Sequence, residues 1–434
     1  MHLFETNAVA ALAAIRKGDV SAQELASLFL QRIETLNPGL GALRHVSADA
    51  AIEAARETDR GIRSGGKLGL LAGLPVVVKE NCDTYSLPCS AGLSFRKNNV
   101  PKFDSAIVRR LREAGAIILG MAVSDPGAFG VRTVHVTHPH DTHLTVGGSS
   151  GGSAAALAAS LCLGAVGTDT GGSIRIPSAC CGTVGLKPTY GALPIEGVFP
   201  LVPSLDHVGP MARSVADVQL LWHAMAGTAP EEPGSLTRVG YDPRWVEIAD
   251  SAIRIAFSQG LDRLKDRGIA AIEIELPQLD DVVATHGEIF IVEAAAWHCG
   301  HHAEMVDTYP GIARAWFEIA RDMKVDAYVE AFTRRVAMTR VVDRLMNDVD
   351  AIITPTICVA RPPKFAETLT IAGQTHDYIM ALVRLTCLFD HTGHPAIAFP
   401  LLDGDETLTS SLQIVGPRGG EARILQIADL MRAA

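Results

Sequence analysis

Two clusters rich in glycine and serine hold the residues best suited to chemistry. They are Gly147-Gly148-Ser149-Ser150-Gly151-Gly152-Ser153 and Gly167-Thr168-Asp169-Thr170-Gly171-Gly172-Ser173-Ile174-Arg175. Glycine permits positive φ and lets backbone approach a ligand closely. Successive N–H groups in such loops can converge on one oxyanion. A serine in that setting is a candidate nucleophile once a base removes its proton. Lys79 ends the apolar run 74–78. Lysine is a base only when neutral, and burial against Val76, Val77 and Val78 would lower its pKa from ~10.4. Glu80 and Asp83 would oppose that fall if they pointed inward.

Competing motifs are weaker. Residues 147–151 fit G-x-S-x-G, but a nucleophile elbow follows a buried strand, and here the polar segment 138–143 precedes it. The Ser–His esterase that this elbow would serve has His207, His376, His391 and His394 available as base. Residues 61–67 fit G-x-x-x-x-G-K, yet Leu68 stands where a phosphate loop needs Ser or Thr. His298, Cys299, His301 and His302 are soft metal ligands close together. No distant ligand matches them, so they read as a helix surface with titrating histidines, and no metal is expected.

Short apolar runs at 74–78, 116–119, 163–166, 351–353, 396–399 and 412–415 alternate with helical stretches. That pattern predicts an α/β fold with a sheet covered on both faces. The first sixty residues read as three helices. Thr6 or Asn7 caps the first and Gly18 stops it. Ser21 and Glu24 form a capping box, and Asn37-Pro38 ends the second. Ser47 opens the third. Residues 104–114 read as a helix stopped by Gly115. The stretch 144–168 carries no charge, but only 154–166 is steadily apolar. That is short of the ~20 residues a membrane span needs, so it reads as a buried helix behind a glycine loop. Residues 227–235 are the softest point, a linker or a surface loop.

The chain has 434 residues, 48% hydrophobic and 20% charged. This composition belongs to a globular protein and excludes wholesale disorder. A net charge of −10 without a basic cluster argues against nucleic acid or an anionic membrane as partner. Eight cysteines without a C-x-x-C pair suit a reduced, cytoplasmic setting. Glu5 precedes the first apolar stretch, which argues against a secretory signal.

Lys79, the two clusters and the run Gly-Thr-Asp-Thr-Gly-Gly-Ser-Ile-Arg-Ile-Pro resemble the amidase signature family. So do Leu71-Ala72-Gly73-Leu74-Pro75-Val76-Val77-Val78-Lys79-Glu80-Asn81, Gly185-Leu186-Lys187-Pro188-Thr189-Tyr190-Gly191 and the run 204–213. The likeness is strong over residues 65–225 and looser to the C-terminus. It implies one domain, 1–434, with a mixed, twisted sheet between helices. Residues 1–65 would be N-terminal helices, 65–225 the signature core, and 226–434 variable helices with returning strands. The implied activity is hydrolysis of a small carboxylic amide through a serine acyl-enzyme. By the resemblance, Ser173 is the nucleophile, Ser149 the bridging serine and Lys79 the base. Gly148–Ser149 would be a cis peptide. The N–H groups of Thr170, Gly171, Gly172 and Ser173 would form the oxyanion hole, and Ser150, Asp169 and Arg175 would brace the loop. No cofactor is implied. The partner is a small-molecule amide, and a homodimer stays open. A glutamine-hydrolysing component of a transamidating complex is the rival within the family. The sequence departs from the family at His138-Pro139, at Val146 and at residues 408–411. It departs also at 125–129, where an acidic residue often shapes the substrate entrance. These departures touch the pocket and not the triad.

Overall fold

A computed structural model describes residues 4–229 and 234–432. The apolar runs become strands of one mixed, eleven-stranded sheet. In chain order these are β1 (Leu43–Val46), β2 (Pro75–Lys79), β3 (Ile117–Ala122), β4 (Gly164–Asp169), β5 (Val184–Lys187), β6 (His207–Ala212), β7 (Arg238–Tyr241), β8 (Ala270–Glu273) and β9 (Ala351–Pro355). After a separate hairpin of β10 (Thr368–Ile371) and β11 (Gln374–Asp377), β12 (Ala396–Pro400) and β13 (Ser411–Val415) return to the sheet. The spatial order is β1-β3-β2-β4-β6-β5-β12-β13-β9-β7-β8.

The centre of this sheet places the chemistry. Strands β3, β2 and β4 run parallel, with Val76 beside Gly164 and Val78 beside Val166. Both β2 and β4 therefore release their last residues at the same edge, so Lys79 emerges beside Gly167 and Thr168. Strand β4 pairs antiparallel with β6, setting Asp169 opposite His207. Val76, Val77 and Val78 are fully buried, as expected for a strand covered on both faces.

Helices flank the sheet. The N-terminal three are α1 (Ala8–Lys17), α2 (Ala22–Leu40) and α3 (Ala48–Arg63). Asn7 caps α1 by accepting from the Ala10 N–H, Gly18 ends it at φ 78°, and the Ser21–Glu24 capping box is formed. The expected stop at Asn37-Pro38 is corrected: α2 runs through Pro38 to a left-handed Gly41. A proline in the final turn removes one N–H where few bonds remain. Asn37 also ties the turn down, exchanging two 2.8 Å hydrogen bonds with the Leu43 backbone.

Helices α4 (Ala106–Glu113), α5 (Gly151–Ala158), α6 (Arg175–Cys181) and α7 (Val215–Ala226) belong to the central segment. The single buried helix expected over 154–166 is also corrected. The segment divides into α5 and the start of β4, because residues 164–166 find parallel partners on β2. The C-terminal half adds α8 (Pro243–Glu247), α9 (Ser251–Asp266), α10 (Leu279–His301), α11 (Gly311–Asp322), α12 (Val325–Asp348), α13 (Tyr378–Val383), α14 (Leu388–His391) and α15 (Glu421–Arg432). Of the soft point 227–235, residues 230–233 lie outside the described residues; Gly227 caps α7. No helix among the described residues is long and apolar enough to cross a membrane.

The histidine group on α10 is not simply a surface. His298 is fully buried against Phe129, Tyr309 and Phe317. Its Nδ1 lies 3.0 Å from Tyr309 Oη, and burial pushes its pKa down to about 3. Its neighbours Cys299, His301 and His302 reach the outside.

Candidate active site

Lys79 is fully buried where β2 ends. Its Nζ lies 2.8 Å from Ser149 Oγ and 2.7 Å from Thr168 Oγ1. Asn81 Nδ2 also donates to Thr168 Oγ1, at 3.1 Å. Burial pushes the ammonium down to about 8, against the opposing pull of Cys82 and the carboxylates of Asp125, Asp169 and Asp206. Glu80 is buried as well, but its carboxylate is directed away from Lys79. It faces Arg44 at 2.8 Å, the Ser90 hydroxyl and the Ser124 N–H.

The two clusters meet in front of this lysine. The Gly148–Ser149 peptide is cis. Ser150 Oγ donates to the Thr168 carbonyl at 3.1 Å and accepts its N–H at 3.2 Å. The Ser150 N–H donates to the Ser173 carbonyl at 3.2 Å. Thus the segment carrying Ser149 is stitched to both β4 and the Ser173 turn. Ser149 is 0% exposed and Ser173 7%. Ser173 lines a pocket with Gly171, Leu201, His286, Phe290 and Met380. Among the described residues its hydroxyl has no hydrogen-bond partner. The pocket has a volume of about 470 Å³, part of it open to solvent.

Asp169 organises the second cluster. It accepts the Gly172 N–H at 2.7 Å, the Ile174 N–H at 3.0 Å and two bonds from Arg175. Burial alone would raise this carboxyl, but the Arg175 guanidinium holds it far below the usual carboxylate range. The oxyanion donors expected from sequence are corrected here. The Gly172 N–H is already spent on Asp169, whereas those of Thr170, Gly171 and Ser173 have no acceptor among the described residues. Arg175 is anchored in turn by the Thr386 carbonyl, Gln413 and Asp390 at 2.7–2.8 Å. Asp206 accepts from Thr170 Oγ1 at 2.7 Å and from the N–H groups of Leu201 and Val202.

Sequence reasoning missed Thr168, Asn81, Asp206, Asp390 and Gln413. All but Asp390 stand in or beside quoted motifs, yet nothing in their spacing shows that they turn inward. Asp125, at the departure over 125–129, lies buried behind the cis peptide, where a Cβ on Gly148 would come within 2.1 Å of its Oδ2. Burial pushes it up to about 6. His138, at one departure from the family pattern, is a brace. Its Nε2 lies 2.9 Å from the Cys180 carbonyl, and its Nδ1 accepts from the His140 and Asp141 N–H groups. Of the four histidines offered for a Ser–His site, His207 is engaged with Leu205 and Lys187, His391 with His286 and His394 with Thr392, while His376 stands on the β10–β11 hairpin.

The chain matches the Amidase family model over residues 24–425. The putative amidase AmiD of Mycobacterium tuberculosis is 34% identical over 405 residues, covering 89% of this chain and 85% of that protein. A glutamyl-tRNA(Gln) amidotransferase chain of Chloroflexus aurantiacus is 31% identical over 471 residues, covering 99% of this chain and 96% of the relative. A solved amidase superimposes with a TM-score of 0.90 at 29% identity, covering 99% of both chains. A chain from a vestigial complex tied to the origins of an s-triazine catabolic enzyme gives 0.91 at 27%, covering 98% of both.

Proposed function

Since the chain belongs to the amidase family and is an amide-hydrolysing enzyme, we propose that it cleaves small carboxylic amides with Ser173 as nucleophile, Ser149 as relay and Lys79 as base. The observation that carries this reading is the buried lysine bonded to two hydroxyls, next to a free serine facing a pocket. Neutral Lys79 takes the Ser149 proton as Ser149 takes that of Ser173, and Ser173 Oγ bonds to the amide carbon. The oxyanion is received by the N–H groups of Thr170, Gly171 and Ser173. The proton returns through Ser149 to the leaving nitrogen, which amide cleavage requires. Water then reaches the acyl-enzyme by the same relay. Ser173 closes onto Ser149 when substrate fills the pocket; such bonds often tighten only in the complex.

The pocket wall favours an independent hydrolase over a glutamine-hydrolysing component of a larger complex. Leu201, Phe290, Ile291, Trp316, Met380 and Val383 form much of it, and among the described residues no carboxylate, ammonium or guanidinium lines it. Glutamine would bring an α-ammonium and an α-carboxylate there without partners, a heavy desolvation cost. The test is product release by purified protein alone, on apolar amides and on glutamine, with a phosphonate trap read by mass spectrometry. The expected result is turnover of apolar amides, little with glutamine, and an adduct on Ser173. Turnover confined to glutamine would move the chain to the amidotransferase reading, and an adduct on Ser149 would reverse the serine roles.

A further inference from the structure

The pocket before Ser173 contains one imidazole that the amide chemistry does not use. His286, on α10, lines it beside Gly171 and Phe290. A Cβ built on Gly171 would lie 2.7 Å from His286 Nε2 and 2.8 Å from Cε1. The ring edge therefore rests on the backbone of the oxyanion loop, and that position has no room for a side chain. The other ring nitrogen, Nδ1, lies 3.1 Å from His391 Nε2, with the rings crossed at 82°. His391 is held in place on α14, where its carbonyl accepts from Arg335 Nε at 3.0 Å. Among the described residues, His391 Nδ1 is buried without a hydrogen-bond partner.

That unpartnered nitrogen fixes the protons of both rings. A hydrogen on it would be an orphaned buried N–H, which is rarer in proteins than an unfilled acceptor. The hydrogen therefore sits on His391 Nε2 and is donated to His286 Nδ1. A neutral His286 then carries its own hydrogen on Nε2, at the pocket wall. Burial pushes His286 down to about 4 and His391 well below the ordinary histidine value, so neither ring is charged at neutral pH. Thr170 Oγ1, also on the wall, is committed to Asp206.

We propose that His286 Nε2–H is a substrate-recognition donor, oriented by His391, for a neutral hydrogen-bond acceptor that the amide carries outside its scissile group. This rests on the amide-hydrolase reading and sharpens its substrate class: largely apolar amides with one ether, carbonyl or ring-nitrogen acceptor. A neutral donor without a nearby free cation suits such a group better than a carboxylate. A pocket that hydrogen-bonds its substrate also discriminates against analogues lacking the acceptor, because its donor is left unpaired.

The test walks one ether oxygen along the acyl chain, and separately along the amine, of a series of otherwise aliphatic amides. The wild-type enzyme should favour one oxygen position over the isosteric methylene by roughly tenfold in kcat/KM. His286→Leu should abolish that preference, bringing the kcat/KM ratio of the oxygen-bearing amide to the all-methylene amide to about one whatever it does to the individual rates. His286→Gln, whose amide N–H reaches a similar place, should keep part of it, and His391→Leu should shrink it. Circular dichroism checks each fold, and if His286→Leu is unfolded the preference is judged from the other two variants. An equal loss on every member with His286→Leu would assign the ring to the oxyanion or the fold and overturn the proposal. So would a wild type indifferent to oxygen at every position, or His286→Gln and His391→Leu retaining the full preference. Failure of the wild type on every amide would instead overturn the amide-hydrolase reading.

Discussion

Lys79 and Lys187 are two buried lysines that differ in what surrounds them. Each ends a short strand, each is fully buried, and burial pushes each down to about 8. Lys79 Nζ meets two hydroxyls, Ser149 and Thr168. Lys187 Nζ meets the His394 carbonyl at 2.7 Å, the Pro188 carbonyl at 3.1 Å and His207 Nε2 at 3.3 Å. His207 Nδ1 lies 2.6 Å from the Leu205 carbonyl, so its hydrogen sits there and Nε2 only accepts. Carbonyls and that nitrogen accept and never give, whereas a hydroxyl does both. Losing a proton would leave Lys187 short of a donor for one of its three acceptors. Losing one at Lys79 leaves a lone pair that a serine or threonine O–H can fill. A lowered pKa is therefore common to both sites, and the partners decide which lysine can relay a proton.

The largest expected effect separates the two by turnover. Lys79→Ala should lower kcat/KM on an amide by about 10³-fold or more, the scale of losing a general base. Lys79→Arg should fare no better, because a guanidinium does not deprotonate. Lys187→Met should stay within roughly tenfold of wild type, since no proton passes through it. Steady-state kinetics on the three folded variants checks this. Equal losses at both lysines would end the distinction.

Stability should reverse the ranking. Lys187→Met leaves the carbonyls of Pro188 and His394 without a donor, at about 1–3 kcal/mol for each buried orphan. It also strips a cation from beside Asp390, whose partner Arg175 braces the Asp169 loop. Lys79→Met removes a donor from two hydroxyls that can turn to one another or to water. Thermal melts should place Lys187→Met below Lys79→Met by several degrees. The opposite order would show that Lys79 is the structural lysine.

Much of this contrast is legible in sequence, for local reasons. A lysine after three valines, glycine clusters and capping pairs are short-range signals, and they locate β2, α1, the start of α2 and both serine turns. What stays hidden depends on strands and loops far apart in the chain. Lys187 reads like Lys79, and only the arrival of His394 and His207 from other elements shows its partners. The Gly172 N–H looks like its neighbours until Asp169 folds back on it. Pro38 resembles a helix stop, yet Asn37 and Leu43 close the turn around it. His286 lies on a helix in the variable region, and its meaning comes from Gly171, more than a hundred positions earlier.

The smallest effect concerns pH, and it tests the contrast directly. As the proposed base Lys79 would have to be neutral, so kcat/KM should rise through about pH 8 and stay high above it. Lys187→Met should leave that limb in place; a moved limb would mean that the lysines titrate as a pair. A limb near 6 would instead point to Asp125, whose charge acts on Lys79 and which burial pushes up to about 6. Stability follows a different curve. For Lys79 and Lys187 the folded value, about 8, lies below the ordinary 10.5. Between those values the unfolded chain holds more protons, so these two favour folding increasingly as pH rises. Cys82, Cys89, Cys162, Cys180 and Cys358 go the other way, pushed up by burial from 9.0 to about 12. Their contribution is complete below pH 9 and is lost progressively as pH climbs towards 12. Burial pushes Cys181, Cys299 and Cys387 up as well, and eight thiols outweigh two amines, so melting temperature should hold or rise slightly from pH 8 to 9 and fall beyond. Initial rates at pH 9.5 should therefore remain at the plateau while thermal melts already decline. Rate and stability falling together from pH 8 would show that the active lysine gains nothing by losing its proton, and Lys79 would then be no different from Lys187.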